Sequence, residues 1–331
     1  MKKTSFLLIL LSTAFPGHTQ ETKAGTGTIE FISKKLSKLI NKDAKVETVA
    51  TGFQFTEGPL WVEKEQMLLF SDVPGNIVYK WTEAKGKELY LQPGGYTDTV
   101  KRGGFMGPNG LVLSHDGKLL ICQHGDRRVA MMDAPLNAPM IRFVTIAGAY
   151  DGKRLNSPND LFLAKNGDLY FTDPSYGFER GDRDPKKELA YQGVYKLDKA
   201  GKITLLIDSI ESPNGIGIMP DGKTLLVSNS DNRKKVWYRY DITSSGTLSN
   251  ATIFYNASSE KAAGLCDGFK IDNKGNIFAA GPGGIWIFTK TGELIGKIKI
   301  NGVTASNCAL TPDGSTIYIT ATQYLLRVKM R

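Results

Sequence analysis

Across 331 residues the chain carries only three cysteines and three histidines. No C-x-x-C pair and no H-E-x-x-H run occurs, which excludes zinc ribbons, thiol redox centres and zincin-type proteases. Cys122, Cys266 and Cys308 each lie in an apolar run, so all three are expected to be buried and unpaired. A G-x-S-x-G elbow and a Walker loop are also missing, and Gly25-Thr26-Gly27 lacks the third glycine of a dinucleotide fingerprint. His115 falls in a turn, which leaves a Ser-His-Asp triad little to build on.

Amphipathic helix patterning is nearly absent. The exception is residues 29–40, IEFISKKLSKLI, expected as a short N-terminal helix that caps the fold. No later apolar stretch reaches the length of a membrane span, so stable membrane insertion is not expected. Lys2 and Lys3 precede an apolar run over 5–14 and a polar stretch ending at Gln20. This reads as a secretory signal over 1–20, with a short membrane anchor as the alternative, and places the mature chain in the periplasm or outside the cell. The formal charge is +9, but lysines and arginines are scattered among acids with no basic helix or aromatic-basic stripe. A solvated basic surface is the reading, and no nucleic-acid partner is expected.

What the chain has in quantity is glycine, 36 residues, and one repeated pattern. An acidic or amide residue, usually followed by glycine, opens an apolar alternating run; a tight turn follows, usually D-G or N-G, and then a second apolar run. The six opening residues are Glu57, Asn109, Asn159, Asn214, Asp267 and Asn307, spaced 52, 50, 55, 53 and 40 apart. A third run is visible in each copy. Periods of this length in strand units indicate an all-β, six-bladed β-propeller over 46–331, after an N-terminal segment at 21–45. Copy six ends too near the C-terminus to hold a fourth strand, so residues 46–51 are expected to supply it.

In such a ring the first strand of each blade lines the axis, and the six opening side chains converge at one mouth. All six carry side-chain oxygens, two of them as carboxylates. That is a hard-oxygen set suited to a divalent cation, most naturally Ca²⁺; the alternative is that each residue merely caps a strand end. The second strands return to the same face and bring Asp72, His124, Asp173, Asn229, Gly281 and Thr320 to the rim. An insertion at 174–192, containing Tyr176 and Phe178, leaves from that rim as a lid or as a solvated loop.

Five motifs resemble one family: F-T-E-G-P-L-W at 55–61, N-S-P-N-D-L at 156–161, Y-F-T-D-P-S-Y-G at 170–177, S-P-N-G-I at 212–216 and C-D-G-F at 266–269. The chain is similar there to the senescence marker protein, gluconolactonase and luciferin-regenerating enzyme group. The resemblance implies a six-bladed propeller with one divalent ion, and a hydrolase acting on small-molecule lactones or esters. It implies Glu57, Asn159, Asn214 and Asp267 as metal ligands, with Asp267 also the catalytic residue, as general base or as the group that positions the attacking water. Asn109, His124, Arg154 and Tyr176 are the candidates for binding substrate, Asn109 and His124 by holding hydroxyls or protonating the leaving group. Some members of the family carry an arginine two residues before the ligand matching Asn159; here Ser157 stands there, with Arg154 nearby but shifted. A lactonase, an aryl esterase or phosphotriesterase on the same ion, and a non-enzymatic scaffold with a structural ion all remain open at this level. If the signal reading holds, mass spectrometry of the exported protein is expected to show loss of about twenty residues, and an intact Met1 would contradict it.

Overall fold

The computed structural model describes residues 27–331; the expected signal at 1–20 lies outside the described residues. Six antiparallel blades, five of four strands and one of five, surround a common axis. Blade one runs Thr56–Val62, Met67–Asp72, Ile77–Thr82 and Gly86–Leu91 from axis to rim. Blades two to five begin at Pro108–Leu113, Leu161–Leu163, Pro213–Ile218 and Phe269–Ile271. Blade six comprises Asn307–Leu310, Thr316–Ala321 and Tyr324–Lys329, and its fourth strand is Val46–Thr51, paired antiparallel with the last. The ring is thus closed by the two ends of the described chain, as the repeat arithmetic requires. Among the described residues no helix is long and apolar enough to cross a membrane.

The short N-terminal helix is not formed. Gly27–Phe31 instead adds a fifth, antiparallel strand to blade five, pairing with Leu294–Ile300. Only Lys34–Lys38 turns, as a 3-10 segment opened by the Ser33 side chain accepting from the Lys35 amide. The reason is local. The outer edge of blade five offers a row of unpaired backbone groups, and Ile29 and Phe31 alternate as a strand requires. Leu36 and Ile40 then bury fully between blades five and six, so the segment's apolar residues are used but not on a helix face.

Apolar packing lies between neighbouring blades. Phe171, Leu169 and Tyr195 of blade three pack with Leu120, Cys122 and Val129 of blade two. Trp237 of blade four meets Trp286 and Phe288 of blade five. Cys122, Cys266 and Cys308 are buried and unpaired.

Close to the axis the blades approach too tightly for side chains, and this explains the glycine after most opening residues. A Cβ on Gly58 would lie 1.9 Å from the Asn109 carbonyl oxygen, and one on Gly110 would lie 2.7 Å from that of Asn159. One on Gly215 would lie 2.6 Å from the Asp267 carbonyl oxygen, and one on Gly268 would lie 2.0 Å from the Asn307 amide nitrogen. Gly58 also adopts a left-handed φ of 52°. Gly58→Ala is therefore expected to destabilise the fold by about 3 kcal/mol or more in urea unfolding, whereas Gly103→Ala, in open space, should stay within about 0.5 kcal/mol. Equal midpoints for the two variants would contradict this account of the axis.

Candidate active site

Three of the axial asparagines follow a proline: Pro108-Asn109, Pro158-Asn159 and Pro213-Asn214. Proline fixes its own φ and holds the preceding residue extended, so each chain enters the inner strand in one direction. Backbone anchors then set the depth of each side chain. Ser71 Oγ donates to the Asn109 carbonyl (2.7 Å), Thr172 Oγ1 to that of Asn214 (2.7 Å), and Ser228 Oγ to that of Asp267 (2.9 Å). In each case a hydroxyl on one blade's second strand grips the next blade's axial residue.

The six opening side chains do converge. Asn109 Nδ2 donates to Asn159 Oδ1 (2.8 Å), and Asn159 Nδ2 donates to Asn214 Oδ1 (2.9 Å). Asn307 Nδ2 donates to Glu57 Oε2 (3.3 Å), and Asp267 and Glu57 face one another within hydrogen-bonding reach. Five of the six are buried; Asp267 keeps part of its surface exposed.

Two residues that the repeat alone did not mark complete the cluster. Asp160 takes the place that glycine holds in other copies, and its buried carboxylate accepts from Asn307 Nδ2 (3.4 Å). Lys270 points in from blade five, donating to Asn307 Oδ1 (3.2 Å) with its ammonium 3.9 Å from Asp160 Oδ2. The signal available was Asp160 itself, an acid where the pattern wants glycine.

The electrostatics follow. Burial, opposed by the Gly58 amide bonded to its carboxylate, raises Glu57 above the ordinary carboxylate range, and Asp160 adds to the shift. Burial raises Asp267 as well, and the facing Glu57 carboxylate pushes it further. Asp160 is raised by burial and partly relieved by Lys270. With all three acids ionised against one ammonium, two negative charges stand uncompensated. Among the described residues no three His, Cys, Asp or Glu side chains are grouped to hold an ion by themselves. Two facing carboxylates beside amide oxygens are what the mouth offers, a hard-oxygen set whose charge deficit matches a divalent cation.

Around this ring the substrate-binding candidates separate. His124 is buried beside it: Nε2 lies 3.4 Å from Asn109 Nδ2 and 3.2 Å from Asn159 Oδ1, and Nδ1 lies 2.9 Å from the Phe105 carbonyl. Burial lowers its pKa to about 4, so the ring is neutral at ordinary pH. Each ring nitrogen faces an oxygen that can only accept, the Phe105 carbonyl and Asn159 Oδ1, so the one proton of the neutral ring satisfies one of them at a time. Tyr176, from the insertion at 174–192, is half-exposed; its hydroxyl donates to the Ser212 carbonyl (3.3 Å) and lies in hydrogen-bonding contact with Asn214 and Ser230. Phe178 of the same insertion is buried beneath Arg127, whose guanidinium lies 5.0 Å from the ring centre. Arg154 stands apart on the two-residue strand Lys153–Arg154, exposed, donating to the Asp126 carbonyl (2.9 Å).

Most of the expected rim has another task. Asp72 accepts from the Gln54 and Phe55 amides, Asp173 from the Asn156 amide and Asn229 from the Ser212 amide. Each tethers the loop that leads into its own blade, and both Asp72 oxygens and the Asn229 oxygen are taken up there. Burial raises Asp173 to about 7. Thr320 is likewise engaged, with Ser306 and the Asn307 carbonyl.

A family model described as the SMP-30/Gluconolactonase/LRE-like region matches residues 55–323. A gluconolactonase of Zymomonas mobilis is 37% identical over 312 residues, covering 92% of this chain and 86% of that one. Among solved structures, a gluconolactonase from Xanthomonas campestris superposes with a TM-score of 0.79 at 29% identity, covering 93% of this chain and 98% of that one. A calcium-binding protein, regucalcin, from Agrobacterium tumefaciens shares the fold, with a TM-score of 0.66 at 19% identity over 86% of this chain and 94% of that one.

Raised carboxylates fix the sign of one pH effect. An acid whose folded-state pKa is raised favours the fold while it is protonated, and that stability is lost as pH climbs through the folded value. His124, held neutral, acts in the opposite sense, but only below its ordinary value of about 6.5. In the absence of divalent cations the urea midpoint is therefore expected to fall between about pH 6.5 and about pH 8.5, and Glu57→Gln should flatten that fall. A midpoint that rises over this interval would contradict the axial electrostatics.

Proposed function

The chain belongs to the SMP-30/gluconolactonase/LRE-like family, and from that premise we propose that it is a divalent-cation-dependent lactonase, a carboxylic-ester hydrolase that opens sugar-type lactones with Ca²⁺ as its ion. The observation carrying this reading is the pair of facing carboxylates, Glu57 and Asp267, set among amide oxygens at a mouth that lacks two positive charges. Glu57, Asn159, Asn214 and Asp267 would hold the ion. When bound, it would balance the carboxylates and supply Lewis-acid polarisation of the lactone carbonyl.

The rest is the work of side chains. Asp267 is the partly exposed acid of the ring, and its raised proton affinity suits a group that takes a proton from water near neutrality. The water oxygen bonds to the carbonyl carbon, the ring C–O bond breaks, and the departing alkoxide takes up the proton that Asp267 drew from the water, which leaves a hydroxy acid. Tyr176 and the neutral His124 border the reacting centre, and the amide chain from Asn109 to Asn214 keeps the ring from collapsing when the site is open.

Asp267→Asn keeps the shape and one acceptor oxygen but removes the base. Lactone turnover is expected to drop by about 10²- to 10⁴-fold and to stay low at saturating calcium. Affinity for calcium should weaken as well, because one of two facing carboxylates is lost. Hydrolysis of a lactone, an aryl ester and a phosphotriester, each measured against calcium concentration and with chelator, tests the assignment. Full recovery of the variant at high calcium would leave Asp267 a ligand only. Faster hydrolysis of the phosphotriester than of any lactone would overturn the substrate class.

A further inference from the structure

One cationic side chain near the mouth has no role in the reading above. Arg102 lies on the loop between blades one and two. That loop is pinned at both ends: Asn76 Oδ1 accepts from the Gly95 and Tyr96 amides, and the Phe105 and Met106 carbonyls bond to His124 Nδ1 and the Gly125 amide. The guanidinium stacks 5.3 Å from the Tyr96 ring centre, and its Nη2 donates to the Gly177 carbonyl. Among the described residues, its buried Nε has no acceptor and no carboxylate pairs with it. Gly177 is in close contact with the site wall, for a Cβ there would lie 2.8 Å from His124 Cβ and 2.7 Å from Ser157 Cβ.

A second unpartnered group touches the same histidine. Asn109, only 4% exposed, has a buried Oδ1 with no hydrogen-bond partner among the described residues, while its Nδ2 is committed to Asn159 and faces His124. A buried polar atom left unpaired is costly, and such atoms mark where a ligand completes the network. Here a donor without an acceptor and an acceptor without a donor both adjoin the wall around His124, Arg102 through Gly177 and Asn109 directly. Hydroxyl groups serve both, since each can donate and accept. A plain lactone ring offers acceptors only and leaves Asn109 Oδ1 unsatisfied. Ser157 does not compete, because its hydroxyl already donates to the Pro174 carbonyl and accepts from the Gly177 amide.

We propose that Arg102 is a specificity-determining residue, donating to the hydroxyls of a polyhydroxylated lactone while Asn109 Oδ1 accepts from them. This rests on the lactonase reading and names the side chains that read the hydroxyls of its ring. The test compares the full chain with Arg102→Gln and Arg102→Lys on D-glucono-δ-lactone and on δ-valerolactone, which has no hydroxyls. In parallel, calorimetry follows binding of D-glucono-δ-lactam, an uncharged analogue with the same hydroxyls. For Arg102→Gln, KM for the gluconolactone is expected to rise about tenfold to a hundredfold with kcat little changed, and lactam affinity should fall by the same factor. δ-Valerolactone should shift less than about twofold, and Arg102→Lys, which keeps the charge but not the fork, should fall between. Equal losses on both lactones would make Arg102 a prop for its loop and overturn the proposal, as would unchanged lactam binding or a wild-type chain that binds no lactam. If the wild-type chain opens neither lactone, the lactonase reading fails; the lactam comparison still decides whether Arg102 reads hydroxyls.

Discussion

At the axis of this molecule neighbouring blades meet backbone to backbone. The glycines at 58, 110, 215 and 268 remove the side chains that would hold the inner strands apart. Hydroxyls at Ser71, Thr172 and Ser228 then tie three of the second strands to the carbonyl of the next axial residue. Two axial glycines bridge to the next blade through their amides: Gly110 N–H to the Asn159 carbonyl and Gly268 N–H to the Ser306 carbonyl, both 2.8 Å. This contact sets how close six polar side chains come, and so how strongly their charges interact. Widening the axis by a methyl group would separate Glu57 from Asp267 before it disturbed any apolar core.

Compression at the axis would be intolerable for unpaired charges, and the ring manages it in two ways. Amides relay hydrogen bonds from Asn109 through Asn159 to Asn214, so neutral groups satisfy one another. Acids are gathered on the other side, where Lys270 offsets Asp160 and Asn307 donates to both Asp160 and Glu57. The mouth therefore has a neutral half and an anionic half. On the function proposed above, a cation would sit where the two halves meet, between Glu57 and Asp267 and the oxygens of Asn159 and Asn214, and a ring carrying hydroxyls would find its partners where His124 and Asn109 lie.

Blade number, ring closure and the six converging residues were legible in the sequence because they rest on local rules repeated six times: a tight turn between two apolar runs and an oxygen-bearing residue at each strand start. The N-terminal segment misled because its apolar residues fit a helical spacing over 29–40, while the deciding factor, an open sheet edge on blade five, lies some 270 residues away. Asp72, Asp173 and Asn229 were placed at the correct face, yet spacing does not say whether a side chain looks outward or folds back onto its own loop. Asp160, Lys270 and Arg102 draw their meaning from contacts with other blades or with the 174–192 insertion, which no single copy of the repeat contains.

The strand that completes blade six is Val46–Thr51, and its three partners are the last strands of the chain. The ring consequently cannot close until the strand Tyr324–Lys329 has been made. Loop-closure entropy for a contact spanning some 280 residues falls on the final step rather than on any intermediate one. The first blades of a growing chain must wait with one apolar flank uncovered, which makes the interval between synthesis and closure the period of greatest exposure to aggregation.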